Sequence, residues 1–324
     1  MAHELTIRAD GYTEMAFVGE LPWHGLGQEL PEGADMATWR KAAGMDWTIE
    51  KSPVYYQDKD SVGTDFKYGF IGQNVLYRSD TKAPMSVVSD RYKPVQPAEV
   101  LDFFKDLVEE SGFRLHTAGT LFGGKRLWAL AETGKFGEVT KGDGVGGFLL
   151  LSTSCDKSLA TTARFTSIRV VCNNTLSMAT EGRKDCVSFN HSRAFDHNLM
   201  KAKLGLAVES FGAFMEMGKY LQSQKLKQAQ ATEFVRQLVL NPAQLHNEEY
   251  EYTKHRGFVK IMSLFTEEAK GIELVGQTKW GMLNAVTEYF DHHLPARTDD
   301  ARLNNAWFDT GNTLKAKAIQ MLVA

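Results

Sequence analysis

Residues 147–180 read GFLLLSTSCDKSLATTARFTSIRVVCNNTLSMAT. An apolar run from Phe148 to Leu151 meets a polar break at Cys155-Asp156-Lys157-Ser158, and a second β-rich run extends from Leu159 to Cys172. Phenylalanine, threonine, valine and isoleucine fit a pleated, half-buried surface, so two runs with a short break predict consecutive antiparallel strands. Alternation along the second run sets Arg164 on one face and Phe165 and Arg169 on the other, so neither face reads as pure core. Asn173 and Asn174 are N-cap residue types ahead of Leu176 and Met178, which predicts a helix at that junction.

Upstream, Pro97 opens a segment with Val100, Leu101, Phe103, Phe104, Leu107 and Val108 at helical spacing, ended by Gly112. Phe113–Thr120 and Lys125–Glu132 then predict a hairpin across Leu121-Phe122-Gly123-Gly124. The glycine-rich segment from Gly134 to Gly147 reads as a flexible connection. It holds neither a GK[ST] sequence nor a strand-GxGxxG-helix order, so it is not a nucleotide loop. From Ser192 onward the period changes from about 2 to about 3.6, with helices expected over 194–222, 231–240, 255–269, 278–290 and 313–322.

Nearer the N-terminus, residues 1–60 read as an irregular cover anchored by Trp23, with a short helix from Ala34 to Ala43. Strands are expected over 45–56, 68–77 and 84–88. The expected fold class is therefore α+β, a mainly antiparallel sheet within 45–172 followed by a helical C-terminal half. Three regions follow: 1–96, the cover and first strands; 97–190, an α-β-β-β-α core; and 191–324, helices packed on it.

Four strings carry a family resemblance: Ile168–Leu176 (IRVVCNNTL), Pro22–Gly27 (PWHGLG), Arg91–Gln96 (RYKPVQ), and Asn284–Tyr289 (NAVTEY) with Asp291-His292. The chain resembles a large family of phage- and plasmid-encoded proteins classed as a domain of unknown function. The order of elements over 97–180 is also similar to the core of the phage single-strand annealing superfamily, whose members bind DNA as rings or filaments. That similarity implies homo-oligomeric single-stranded DNA binding as an analogy of fold.

With 324 residues, 43% hydrophobic and 24% charged, the chain has ordinary globular composition. Residues 1–112 hold 11 Lys and Arg against 19 Asp and Glu, 113–227 hold 16 against 9, and 228–324 hold 10 against 12. A basic middle between acidic ends is the asymmetry that matters to a polyanion. No apolar run approaches the roughly 20 residues that span a bilayer. Three cysteines without CxxC spacing and no readable export signal point to a host-cell cytoplasm.

Chemistry is not compelled by any motif. His292 and His293 are adjacent and diverge by about 100° on a helix, Cys172 lies in a strand, and Ser152 and Ser154 lack a GxSxG frame. No cofactor and no metal are expected. The residues suited to tracking phosphates while stacking unpaired bases are Lys125, Arg126, Trp128, Lys135, Lys157, Arg164 and Phe165, with Arg169, Asn173 and Asn174 holding the strand junction. The two functional readings are a homo-oligomer that binds or anneals single-stranded DNA, and a host-interaction protein, such as an anti-restriction or anti-defence factor, whose basic middle meets an acidic protein partner.

Overall fold

A computed structural model describes residues 6–8, 10–19, 26–59, 65–169, 174–177, 186–192, 196 and 210–324. The fold is α+β, and its centre is an eight-stranded sheet. Three hairpin-linked strands make its middle: β6 (Arg114–Leu121), β7 (Arg126–Glu138) and β8 (Gly144–Ser154). β9 (Thr161–Arg169) follows on β8 in unbroken antiparallel register from Val145/Arg169 to Ser152/Thr162. The outer edge of β9 is shared by β10 (Asn174–Ser177) and β11 (Cys186–Phe189). On the far side β1 (Met15–Phe17) pairs antiparallel with β6 and parallel with β2 (Gln28–Glu29).

A second sheet has the order β3 (Ile49–Lys59), β4 (Asp65–Arg78), β5 (Pro84–Ser89). Helix α1 (Met36–Ala42) precedes it, with Asp35 accepting from the Thr38 backbone N–H at 2.7 Å. Helix α2 (Pro97–Ser111) links the two sheets. Its Val100, Leu101, Phe103 and Phe104 are fully buried, as the apolar spacing predicts, in a core with Leu127, Ala129, Leu149, Leu151, Ala163 and Phe165 of the main sheet.

The opposite face of that sheet is covered as well. Met15, Leu121, Trp128, Leu130, Phe148 and Leu150 form a second apolar cluster with Leu303, against which Trp307 and Phe308 pack. These come from α7 (Asp299–Phe308), one of the C-terminal helices α3 (Ser210–Ser223), α4 (Gln228–Val239), α5 (Arg256–Ser263), α6 (Lys279–Glu288), α7 and α8 (Thr310–Val323). Double coverage explains why all eleven residues of β8 are buried. Trp280 of α6 donates to Asp143 at the β7–β8 turn (2.8 Å), fixing the helical layer to the sheet.

Several expectations are revised. The chain at Asn174–Ser177 is a strand rather than a helix start, because β9 offers it an open edge; Asn173 lies outside the described residues. The segment 134–147 is no flexible link: β7 runs to Glu138, and a bulge between Glu132 and Phe136 absorbs Gly134 at φ +72°. Gly147 lies within β8 because a Cβ there would come within 3.0 Å of Phe211 and Thr133. The irregular cover contributes β1 and β2 to the main sheet, while Trp23 and His24 lie outside the described residues, as does most of the helix expected from 194. The helices over 255–269 and 278–290 end in single π-turns, Leu264–Glu268 and Tyr289–His293.

Candidate nucleic-acid interface

Two turns separated in sequence lie side by side at one end of the sheet. In the β6–β7 turn, Phe122, Gly123 and Gly124 have φ of +55°, +70° and +89°, and in the β8–β9 turn Lys157 has φ +67°. The left-handed region costs a residue with a Cβ about 1 kcal/mol, so Phe122 and Lys157 are held there by their surroundings. Three contacts do the holding. The Cys155 N–H donates to the Lys125 carbonyl (2.7 Å), Arg126 donates from Nη2 to Ser158 Oγ (2.7 Å), and Asp156 accepts from the Ser158 N–H (3.0 Å).

This rim carries Lys125 and Lys157 beside the partly exposed ring of Phe122, while Arg126 between them is only 8% exposed. The Arg126 guanidinium lies 5.9 Å from the Phe122 ring centroid and 5.4 Å from that of Phe308. Burial lowers the Arg126 pKa from the ordinary arginine value, against the attraction of Asp156 and Asp309. Burial pushes Asp156 the other way, but the hydrogen bonds from Ser158 and Ser154 and the charge of Arg126 hold its carboxyl below the usual range.

Further along the same sheet face, Arg164 borders a narrow, partly open crevice with Leu130, Leu150, Thr166, Ala306, Trp307, Asn312 and Lys315. Lys315 is 2% exposed and donates to the 5% exposed carboxylate of Asp291 at 2.6 Å. Burial lowers its pKa, Asp291 opposes that, and the like charge of Arg164 adds to the lowering.

The residues expected from sequence therefore divide. Lys125 and Lys157 are accessible on one rim, and Arg164 lies on the same face beneath α7 and α8. Arg126 is corrected: at 8% exposure it is buried, with its guanidinium donating to Ser158 and set beside the Phe308 ring, so it braces the rim rather than facing solvent. Lys135 is exposed but sits toward the opposite end of the sheet, next to the exposed Phe136. Trp128 and Phe165 are corrected: at 0% and 2% exposure both are core, Trp128 edge-on to Trp307 at 5.1 Å, and neither ring offers a face to a base. Arg169 closes β9 opposite Val145 and Asn174.

Phe122, Ser158 and the Lys315–Asp291 pair were missed. The Phe122-Gly-Gly turn was readable, but only the fold shows that its ring lies beside the Arg126 guanidinium. Thr298 followed by two aspartates was the unread signal for α7, whose first turn Thr298 caps through the Ala301 N–H (3.0 Å).

Among the described residues no group of three or more His, Cys, Asp or Glu side chains could hold a metal ion, and no helix is long and apolar enough to cross a membrane. Residues 84–307 match the family described as a domain of unknown function, DUF932. With well over half of the chain matched, this protein belongs to that family, whose matched region begins at β5 and takes in the central strands and α7. No curated protein and no solved structure matches the chain.

Proposed function

We propose that this protein is of the phage and plasmid type and binds single-stranded DNA as a homo-oligomer in the host cytoplasm, contacting phosphates through the rim of Lys125 and Lys157, which the buried Arg126 braces from within. One observation carries the reading: cations from two turns 32 residues apart are brought together beside an accessible aromatic ring. Positive charge with a π-face is what backbone-tracking, sequence-tolerant binding of unpaired strands requires. With Trp128 and Phe165 buried, stacking falls to Phe122. Two phosphate contacts on a single strand give a log–log salt slope of about −1.4.

Titrating the purified protein with short single- and double-stranded oligonucleotides across a salt series tests this. Tighter single-strand binding with that slope supports it, and salt-independent or absent binding overturns it. A host protein partner is the second reading, favoured by Asp156 and Asp309 among the cations, since mixed charge suits a protein surface better than a uniform polyanion.

A further inference from the structure

The outer half of the β3–β4 hairpin joins neither apolar core. Tyr55, Tyr56, Phe66, Tyr68 and Phe70 are each about half exposed, and Ile71, at the bulge opposite Pro53 and Val54, is 98% exposed. β5 pairs only with Gln73–Tyr77 of β4, so beyond that point the ribbon has two strands and, among the described residues, no third. A two-stranded ribbon is marginal in water without something packed on it.

Its faces differ. The pairs Val54/Phe70, Tyr56/Tyr68 and Asp58/Phe66 share one face, while Tyr55, Gln57 and Lys67 share the other. On the first face Tyr56 stacks on Tyr68 at 5.3 Å and Phe66 lies 6.3 Å from Tyr68, which makes a continuous aromatic stripe. On the second, Lys67 Nζ sits 4.3 Å over the Tyr55 ring.

We infer that this arm is a self-association surface, in which the Tyr56, Phe66, Tyr68 and Phe70 face of one chain packs on the same face of a second copy. The inference rests on the homo-oligomer part of the proposed function and gives it residues. Charge excludes a polyanion as occupant: residues 54–70 hold Lys59 and Lys67 against Asp58, Asp60 and Asp65, a net of −1. An apolar stripe, by contrast, complements itself about a two-fold axis. That axis sets the Asp58 end of one stripe over the Val54 end of the other, holding the two Asp58 carboxylates about 13 Å apart, beyond the screening length at physiological salt. The area is of the right order. At roughly 200 Å² per ring, the four half-exposed rings offer about 400 Å², half of the roughly 800 Å² per partner of a standard interface, and the β3 edge, unpaired among the described residues, lies beside them.

Sedimentation velocity on the full chain, alone and with a short oligonucleotide, tests the arm. Wild type should assemble without DNA. Tyr68→Ser/Phe70→Ser should weaken assembly more than about tenfold, while Tyr55→Ser on the opposite face should assemble as wild type does. Phe66→Asp, farthest from the body, gives the same readout if the double variant loses its fold by circular dichroism. A wild type monomeric at every concentration overturns the proposal, as does a face variant that assembles normally or a Tyr55→Ser chain that falls apart equally. A face variant that stays assembled yet loses oligonucleotide affinity makes the arm a nucleic-acid surface and overturns it too. Failure of DNA binding with assembly lost only in the face variants leaves the arm standing and removes the DNA reading alone.

Discussion

Arg78 binds Glu14 in two-pronged fashion, Nη1 to Oε2 at 3.0 Å and Nη2 to Oε1 at 2.8 Å, with side chains 3% and 1% exposed. The pair sits where β4, the N-terminal segment and β6 meet. Glu14 also accepts from Arg8 Nε (2.8 Å) and Thr120 Oγ1 (2.6 Å), and Arg78 donates to Asp80 and lies 4.2 Å from the Trp47 ring. Gly44, at φ +67°, makes room, since a Cβ there would stand 2.5 Å from Glu14.

Breaking this pair leaves the buried Glu14 carboxylate with only Arg8 and Thr120 as partners among the described residues. Arg78→Ala is expected to lower unfolding stability by about 3–5 kcal/mol in a denaturant titration. Arg78→Lys should recover little, because an ammonium cannot reproduce the planar fork. A loss below about 1 kcal/mol for Arg78→Ala would show that the lock does not hold the sheets together.

Alkaline pH attacks a different point of the same region. Burial pushes the Cys155 thiol up to about 12, with the Asp156 charge adding to it, and burial likewise raises Tyr92, whose hydroxyl donates to the Ser154 carbonyl at 2.8 Å. A group whose folded pKa lies above its unfolded value binds more protons when folded, so its stabilising contribution is complete below the unfolded pKa and is lost as pH rises through the folded one. Stability should therefore fall from about pH 9 for Cys155, and from about pH 10 for Tyr92. Melting temperatures across that range check it, and Cys155→Ser/Tyr92→Phe should flatten the profile. Native alkylation at pH 8 should also leave Cys155 unmodified, as peptide mass mapping would record.

At the rim, charge and backbone strain can be separated at one residue. Lys157→Ala removes the cation but keeps a Cβ at φ +67°, whereas Lys157→Gly removes both. Glycine should raise stability by about 1 kcal/mol over alanine. Both variants should weaken oligonucleotide binding equally, by on the order of 1 kcal/mol, and flatten the salt slope by about one ion. Unequal losses in binding would mean that the turn conformation, not the charge, is what the ligand meets.

Helix α2 and the β6–β7 hairpin were legible because each carries its own punctuation: Pro97 and Gly112 bound the helix, and Gly123 and Gly124 make the turn. The cations of the two turns were readable as residue types, but the burial of Arg126 was not. What could not be read was coverage. Trp128 between Leu127 and Ala129, and Phe165 between Arg164 and Thr166, look like rings on a mixed surface until α7 closes over one face and α2 over the other. Asn174 misled because a good cap residue says nothing of whether a strand edge is waiting for it. The Glu14–Arg78 lock spans 64 residues and three elements, and no local pattern announces such a pair.

The pocket beneath α8 yields the last prediction. Arg164 and Lys315 are two cations on one small pocket with a carboxylate, Asp291, fixed on Lys315. Lys315→Met leaves Asp291 buried without its ammonium and should cost about 3–5 kcal/mol. The double replacement Asp291→Leu/Lys315→Met removes both charges and should return to within about 1–2 kcal/mol of wild type, because well-packed apolar side chains can substitute for an ion pair. Arg164→Ala acts differently. It removes a like charge that works against the Lys315 ammonium, so stability should hold or rise slightly, while single-strand affinity should drop by on the order of 1 kcal/mol if phosphates reach the pocket. Denaturant titration and oligonucleotide binding of all three variants give the answer. Stability lost in Arg164→Ala as in Lys315→Met would make Arg164 part of the structural pair, and unchanged affinity would confine the proposed phosphate contact to the rim of Lys125 and Lys157.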